Sequence, residues 1–260
     1  MATVPARNVL WQKCRRDDIR GAASAGAVAL LPLGAVEQHG PHLPLDTDSV
    51  TAFEVSVRAA GLVDRPPVLV LPPLWWGLSP YWMGFPGTLS LRPETLIELL
   101  VDLCGSVGHH GIRRLCIVNG HGGNAGLIQA AAIKATRDGL RVAALSYWDL
   151  IPGRLRELSE RDGGSIGHAG ELETSIQLHL QPEQVDLGRV HEDQCLDLTT
   201  PGVEPAGVYL PPDPAAESPH GVYGMARAGS AEKGARILEA AAQALAGCVR
   251  QLAAGPSPPR

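Results

Sequence analysis

The 260-residue chain has 45% hydrophobic and 19% charged residues, which favours a sizeable core and excludes a largely disordered chain. The net charge of −5, without a basic stripe, argues against nucleic acid as a partner. The five widely spaced cysteines form no CxxC pair, which argues against a disulfide framework or a cysteine-type zinc site. Neither a signal peptide nor a membrane span is indicated, so we expect a cytoplasmic protein without a membrane partner.

Short apolar runs alternate with helical patterns along the chain. Strands are predicted at 27–33, 68–71, 115–118 and 142–146, and helices at 49–60, 93–109, 126–137, 171–180 and 231–252. This alternation indicates an α/β fold with a mostly parallel sheet. We interpret residues 1–260 as a single domain, with a Pro/Gly-rich surface excursion at 199–224 and a disordered tail at 255–260.

Polar clusters follow the predicted strands, where open parallel sheets bind ligands. They contain Glu37, His39 and Asp48 after the first strand, Asn119 and His121 after the third, and His168, Glu171 and Glu173 at a helix start. Carboxylates and imidazoles suit zinc, manganese or iron(II), and a carboxylate can bridge two ions. Two ions about 3.5–4 Å apart can share one hydroxide and polarise a carbonyl, so the pattern predicts a metal centre.

Some residues of these motifs fit other roles as well. His42 fits a supporting role as well as a ligand role, and Asp46 could cap the helix that follows. The segment NGHGGN lacks the GxxxxGK[ST] spacing of a phosphate loop, and no serine lies in a GxSxG elbow. An activated water is therefore favoured over a covalent nucleophile.

Aromatic residues crowd the loop after the second strand. Trp75, Trp76, Tyr81 and Trp82 all lie there, in a chain with 4% aromatic residues. They could form an aromatic wall that recognises the substrate, or they could pack the loop or form a subunit contact.

The motifs EQHGPHLPLDTD, FPGT, NGHGGN, LSYWD and HAGELETS, in this order, resemble those of the creatininase (creatinine amidohydrolase) family. The resemblance implies a three-layer α/β/α domain with a mostly parallel sheet, a binuclear divalent metal centre and a homohexamer. Glu37 would bind one ion, His39 the other, and Asp48 both, while His121 would join the ion of Glu37. His168 would be the catalytic histidine that moves a proton.

The sequence departs from creatininase proper at several positions. Creatininase has NGHYEN, whose glutamate binds the second ion, whereas this chain has Gly123. Our hypothesis is that Glu171 replaces that ligand. Glu173 matches a family glutamate and would orient His168 or a ligand. Of two creatininase tryptophans near the substrate, one matches Trp148 and the other falls at Gly164. Substrate contacts are predicted for Trp148, Tyr81, Trp82 and Asn119.

These observations predict a hydrolase with two divalent ions per chain, zinc or manganese with iron(II) as an option, and a small amide as substrate. A metal-activated water would hydrolyse a non-peptide C–N bond of a cyclic amide, lactam or formamide, such as a formamide in flavin or deazaflavin precursor synthesis. The alternatives are creatinine–creatine interconversion, and cleavage of a peptide bond during maturation of a peptide-derived cofactor. A mononuclear metal hydrolase and a non-catalytic small-molecule-binding protein on the same fold also stay open.

Overall fold

A computed structural model describes residues 9–136, 139–160, 167–190 and 218–255. Its sheet has four parallel strands in the order β2-β1-β3-β4: β1 (Val28–Leu33), β2 (Val68–Val70), β3 (Arg114–Asn119) and β4 (Arg141–Ser146). Leu33 pairs with Asn119, and Asn119 pairs with Ser146, so three strands end level at one edge of the sheet. All four predicted strands are confirmed, and each observed strand end lies within one residue of the predicted one.

Seven α-helices are described: α1 (Arg16–Ser24), α2 (Thr47–Gly61), α3 (Pro93–His109), α4 (Ala125–Thr136), α5 (Pro152–Leu158), α6 (Glu171–Leu180) and α7 (Ala231–Ala254). The five predicted helices correspond to α2, α3, α4, α6 and α7. The sequence analysis missed α1, which buries none of its residues, and α5, which has only seven residues. Both lack the long apolar stripe on which helix prediction depends.

Alternating side chains of the sheet enter two separate cores. On one face, Val28 and Leu30 of β1 pack with residues of α2, α5, α6 and α7. On the other face, Ala29 and Leu31 pack with residues of α1, α3 and α4. Because every strand is covered on both faces, the strand interiors are apolar, as in other parallel sheets, and the polar residues of β3 and β4 lie only at the strand ends. The predicted three-layer α/β/α arrangement is confirmed.

Several sequence predictions lie outside the described residues. They concern the surface excursion up to residue 217, the tail from residue 256 and the departure at Gly164. The interpretation of the chain as one domain stays a prediction. Among the helices of the described ranges, none is both long and apolar enough to cross a membrane.

Candidate metal centre

The loop after β1 turns back on itself, and together with the first turn of α2 it carries three predicted ligands. Gly34 at the strand end packs against α2, where a Cβ would lie 2.4 Å from the Cα of Ser49. This close approach brings the first turn of α2, with Asp48, back to the loop that carries Glu37 and His39. His39 Nε2 lies 3.1 Å from Asp48 Oδ1 as a result.

The end of β3 supplies His121, and Asn119 holds its backbone in place. Asn119 Nδ2 donates to the carbonyl of His121 at 2.7 Å, and Asn119 Oδ1 accepts from the amide of His121 at 3.0 Å. Further bonds join Asn119 to Ser146 and Asn124. Because Asn119 is fully buried and its amide bonds to protein groups, the structure gives it a positioning role. The predicted contact of Asn119 with substrate does not fit this placement.

His39 and His121 each present one ring nitrogen to the carboxylates and bond a backbone carbonyl with the other. His121 Nδ1 lies 3.1 Å from Asp48 Oδ2 and 3.4 Å from Glu37 Oε1, while its Nε2 lies 2.9 Å from the carbonyl of Leu78. His39 Nδ1 lies 3.1 Å from the carbonyl of Glu37. When the far nitrogen carries the proton and donates it to a carbonyl, the near nitrogen has a free lone pair. Metal-binding histidines have this arrangement.

The turn before α6 brings His168 and Glu173 to the same cluster. His168 Nδ1 lies 3.4 Å from Glu37 Oε1, and Glu173 Oε2 lies 3.7 Å from His39 Nε2. Between them Ala169 has a φ of 54°, and its amide donates to Glu173 Oε2 at 2.5 Å. This left-handed conformation costs a non-glycine residue roughly 1–2 kcal/mol. The turn therefore fixes the direction of both side chains at an energetic cost.

Three overlapping sets of side chains could each hold a metal ion. Within each set the ligand atoms lie within 4.8 Å of one another; the sets are Glu37–Asp48–His121, His39–Asp48–Glu173 and Glu37–His39–His168. Both oxygens of Glu37 and Oδ2 of Asp48 are buried without a hydrogen-bond partner among the described residues. Buried carboxylate oxygens are costly unless a hydrogen bond or a cation satisfies them. The donor set therefore fits divalent cations.

Three carboxylates in one buried cluster shift the pKa values around them. Burial raises the pKa of Glu37 to about 7 and that of Glu173 to about 8, and the negative charge of Asp48 adds to both shifts. Burial opposes charge on His39 and His121, but the carboxylates outweigh it and raise their pKa values to about 10 and about 9. The cluster thus stabilises positive charge, whether protons or metal ions carry it.

Glu171 lies away from this cluster, so its predicted role as the replacement ligand does not fit the structure. Its carboxylate accepts hydrogen bonds from Lys233 Nζ at 2.7 Å, from Ser159 Oγ at 3.1 Å and from the amide of Glu160 at 2.9 Å. Residues two apart on a helix of 3.6 residues per turn point about 200° apart. Glu173, on the opposite side of α6 from Glu171, is the carboxylate that reaches the cluster.

Two of the predicted substrate-contact aromatics touch the cluster. The ring of Trp82 stacks on His168, with centroids 4.1 Å apart and an interplanar angle of 22°. The hydroxyl of Tyr81 lies 3.4 Å from His121 Nε2. Trp148 instead packs against the core on the face of α2 and α7. The described contacts therefore support a role at the centre for Tyr81 and Trp82 but not for Trp148.

His42 and Asp46 both lie on the loop after β1 but belong to none of the ligand sets. His42 Nε2 lies 3.0 Å from Thr174 Oγ1, and burial, together with the charge of His39, lowers its pKa to about 4. Asp46 occupies the residue before α2 but makes no cap hydrogen bond; its carboxylate accepts from Gln181 at 3.1 Å instead. The predicted cap bond of Asp46 is therefore wrong.

The sequence analysis missed two buried polar residues at the centre. Gln38 contacts His168 Nε2 twice, through its side-chain nitrogen at 3.0 Å and its carbonyl oxygen at 2.9 Å. Ser79 Oγ lies 3.1 Å from His121 Nε2. The sequence offered one signal for Gln38, namely its position between two predicted ligands, Glu37 and His39. Ser79 has no spacing or periodicity that separates it from an ordinary loop residue.

Gly123 is surrounded too closely for a side chain. A Cβ there would lie 2.2 Å from the carbonyl oxygen of Leu78 and 2.3 Å from the hydroxyl of Tyr81. The position at which creatininase proper has a glutamate is thus closed in this chain.

The layered parallel fold with a buried carboxylate–histidine cluster at its strand ends defines an α/β protein with a candidate metal centre. The chain belongs to the creatininase family, since the family model for creatinine amidohydrolase matches residues 12–249. It is 34% identical over 245 residues to creatinine amidohydrolase of Pseudomonas putida, covering 88% of this chain and 91% of that protein. It is equally 34% identical over 232 residues to a mycofactocin precursor peptide peptidase of Mycobacterium ulcerans, covering 86% and 84%.

Solved creatininase structures have the same fold. One creatininase crystal structure superposes with a TM-score of 0.82 at 32% identity, covering 96% of this chain and all of that one. A creatininase variant of the Zn–Zn type (TM-score 0.80, 32% identity, 94% and 97% covered) and a manganese form (0.76, 30%, 94% and 98%) also match. The protein is therefore a creatininase-family amidohydrolase with a candidate metal-binding cluster.

Proposed function

We propose that this protein uses two divalent ions to hydrolyse the C–N bond of an amide. The observation that carries the proposal is the pair of ligand sets that share Asp48, together with the unpartnered oxygens of Glu37 and Asp48. Glu37, Asp48 and His121 would hold one ion, and His39, Asp48 and Glu173 the other. Zinc and manganese both suit this mixture of carboxylate and imidazole ligands.

Ions held by these residues would supply an activated water and would polarise the carbonyl of the amide. His168 is the proposed proton carrier. Its Nδ1 faces the cluster at Glu37, and burial holds its pKa well below the usual range. Such a neutral imidazole can accept a proton on the cluster side and return it to the leaving nitrogen.

Gln38 supports this proton transfer because it offers His168 Nε2 both kinds of partner. The carbonyl of Gln38 can accept from a protonated Nε2, and its side-chain amide can donate to an unprotonated one. The amide is itself oriented, since its nitrogen donates to the carbonyl of Gly221 and its oxygen accepts from the amide of Gly40. His168 therefore keeps a hydrogen bond at Nε2 in either protonation state.

Creatinine is a weaker candidate substrate than another amide. The closed position at Gly123 removes the ligand that creatininase proper places there, and Tyr81 and Leu78 fill the space. The equal identity to a creatinine amidohydrolase and to peptide peptidases supports keeping peptide bonds among the candidate substrates. We therefore propose an amide other than creatinine, with a peptide as the second candidate. A homohexameric assembly and a cytoplasmic location stay predictions.

The test is a metal analysis combined with a substrate screen. The protein is loaded with zinc or manganese and incubated with creatinine, formamides, lactams and short peptides, and products are identified by mass spectrometry. Asp48→Asn should lose both ions, whereas His168→Gln should keep them and lose turnover. His109→Gln, an exposed histidine at the end of α3, is the matched control. Two bound ions without hydrolysis of any amide would refute the proposal, and one ion per chain would favour a mononuclear hydrolase.

A further inference from the structure

A cavity of about 260 Å³ lies beside the metal centre without containing any of its proposed ligands. Three loops form its wall: the loop after β1, the loop after β2, and the segment that precedes α7. Within the part of the chain that the structure describes, the lining residues are Gln38, Gly40, Pro41, Phe85, Pro86, Pro219 and His220.

Two lining residues connect this cavity to His168. The side-chain nitrogen of Gln38 lies 3.0 Å from His168 Nε2. Phe85 makes an edge contact with Trp82, with ring centroids 5.6 Å apart, and Trp82 stacks on His168. With 13% of its side chain accessible, His168 is more exposed than each of the five proposed metal ligands, of which Glu173 is the most exposed at 10%. The cavity therefore lies at the side of the centre where solvent reaches it.

The chemistry of the wall favours an uncharged, apolar group. Among the described lining residues, Phe85 and three prolines provide flat apolar surfaces, Gln38 and His220 are polar but uncharged types, and none is Asp, Glu, Lys or Arg. Pockets that enclose a whole small ligand have volumes of about 300–1,000 Å³. This cavity is smaller, so it fits one ring or one branched side chain of a larger substrate.

We propose that this cavity binds an apolar group attached to the nitrogen of the scissile amide, an inference that rests on the proposed function. In that reaction the oxygen of water bonds to the carbonyl carbon and the C–N bond breaks. The electron pair of that bond stays on nitrogen, and His168 supplies the proton, so an amine leaves. The amine side of the substrate must therefore lie next to His168, and its substituent meets the cavity first.

Two isomeric amides separate this inference from its alternatives. N-benzylacetamide carries the phenyl group on the amine side, and N-methyl-2-phenylacetamide carries it on the acyl side, with the same atoms and one amide bond each. For the metal-loaded protein we expect kcat/KM to be about 10- to 100-fold higher for N-benzylacetamide, the range that burial of an apolar side chain gives. Saturation-transfer NMR with the same pair measures binding without turnover.

Two variants connect the preference to the cavity. Phe85→Ala removes an apolar wall, and Pro86→Asp adds a charge without touching the Trp82 contact; both should reduce the ratio between the isomers to near one while the metal content is unchanged. A wild-type ratio near one, or a ratio that survives both variants, overturns the inference and leaves the proposed function intact. If neither isomer nor any other amide is hydrolysed, the proposed function fails, and equal saturation transfer to both isomers then also overturns the cavity assignment.

Discussion

Two single variants, Glu171→Gln and Glu173→Gln, test which glutamate of α6 binds metal. Glu171 is completely buried and paired with Lys233, whose side chain is 13% exposed. Breaking a buried ion pair costs about 3–5 kcal/mol. Lys233 keeps a second partner in Glu160, which reduces the cost. We therefore expect Glu171→Gln to lower the free energy of unfolding by about 2–3 kcal/mol, no more than the lower limit for a buried pair. Its metal content should not change.

Glu173→Gln should show the opposite pattern. The glutamine oxygen can still accept from the amide of Ala169, and burial already raises the pKa of Glu173 to about 8, so loss of its charge removes little stability from the metal-free protein. We expect a change within about 1 kcal/mol, as for most substitutions that keep their contacts. The protein should bind one ion where the parent binds two.

The two variants are compared by urea unfolding of the chelated proteins and by elemental analysis after metal loading. Since both changes are isosteric and lie on one helix, each variant is the control for the other. If Glu171→Gln lost an ion at unchanged stability while Glu173→Gln retained two, the geometry of α6 described above would be wrong.

Three further outcomes follow from the structure. Zinc or manganese added to the chelated protein at about 100 times its Kd should stabilise it by about 2.7 kcal/mol for each bound ion, which calorimetry would detect as a rise in Tm of roughly 5–10 °C per ion. Gln38→Leu should retain metal and lower kcat about 10- to 100-fold with KM little changed, since His168 loses its orientation; an unchanged kcat would contradict this. Ala169→Val should destabilise by about 2 kcal/mol or more in urea unfolding, because a branched residue tolerates a φ of 54° poorly, whereas Ala169→Gly should stay within about 1 kcal/mol.

The sequence predicted the fold and most of the cluster for a physical reason. Strands covered on both faces form nearly continuous apolar runs, so they could be recognised and their ends located within one residue. Polar residues that follow such strands must lie at one edge of the sheet, so Glu37, His39, Asp48 and His121 could be grouped although 73 residues separate Asp48 from His121.

The sequence could not show which way these side chains point. In HAGELETS either glutamate could face the cluster, and the choice depends on where α6 begins and on the left-handed turn at Ala169. Asn119 is the last residue of β3 and lies at the same sheet edge as the ligands, yet its amide bonds to the loop that it stabilises. Residue type and spacing indicate which side chains are near, but only the helix rotation and the hydrogen bonds show which way they point.

The direction of the Asp48 side chain also depends on glycines, because they let α2 pack closely against the strand ends. A Cβ at Gly120 would lie 2.4 Å from the carbonyl oxygen of Asp48, so Gly120→Ala must displace the first turn of α2. Overpacking of this kind costs about 1–3 kcal/mol, and here it would also move Asp48 away from His121. We expect a loss of metal together with a lower urea midpoint. Gly122→Ala is the matched control two residues away, where a Cβ would meet nothing within 4 Å. Equal metal content in the two variants would contradict the view that Asp48 is positioned by this contact.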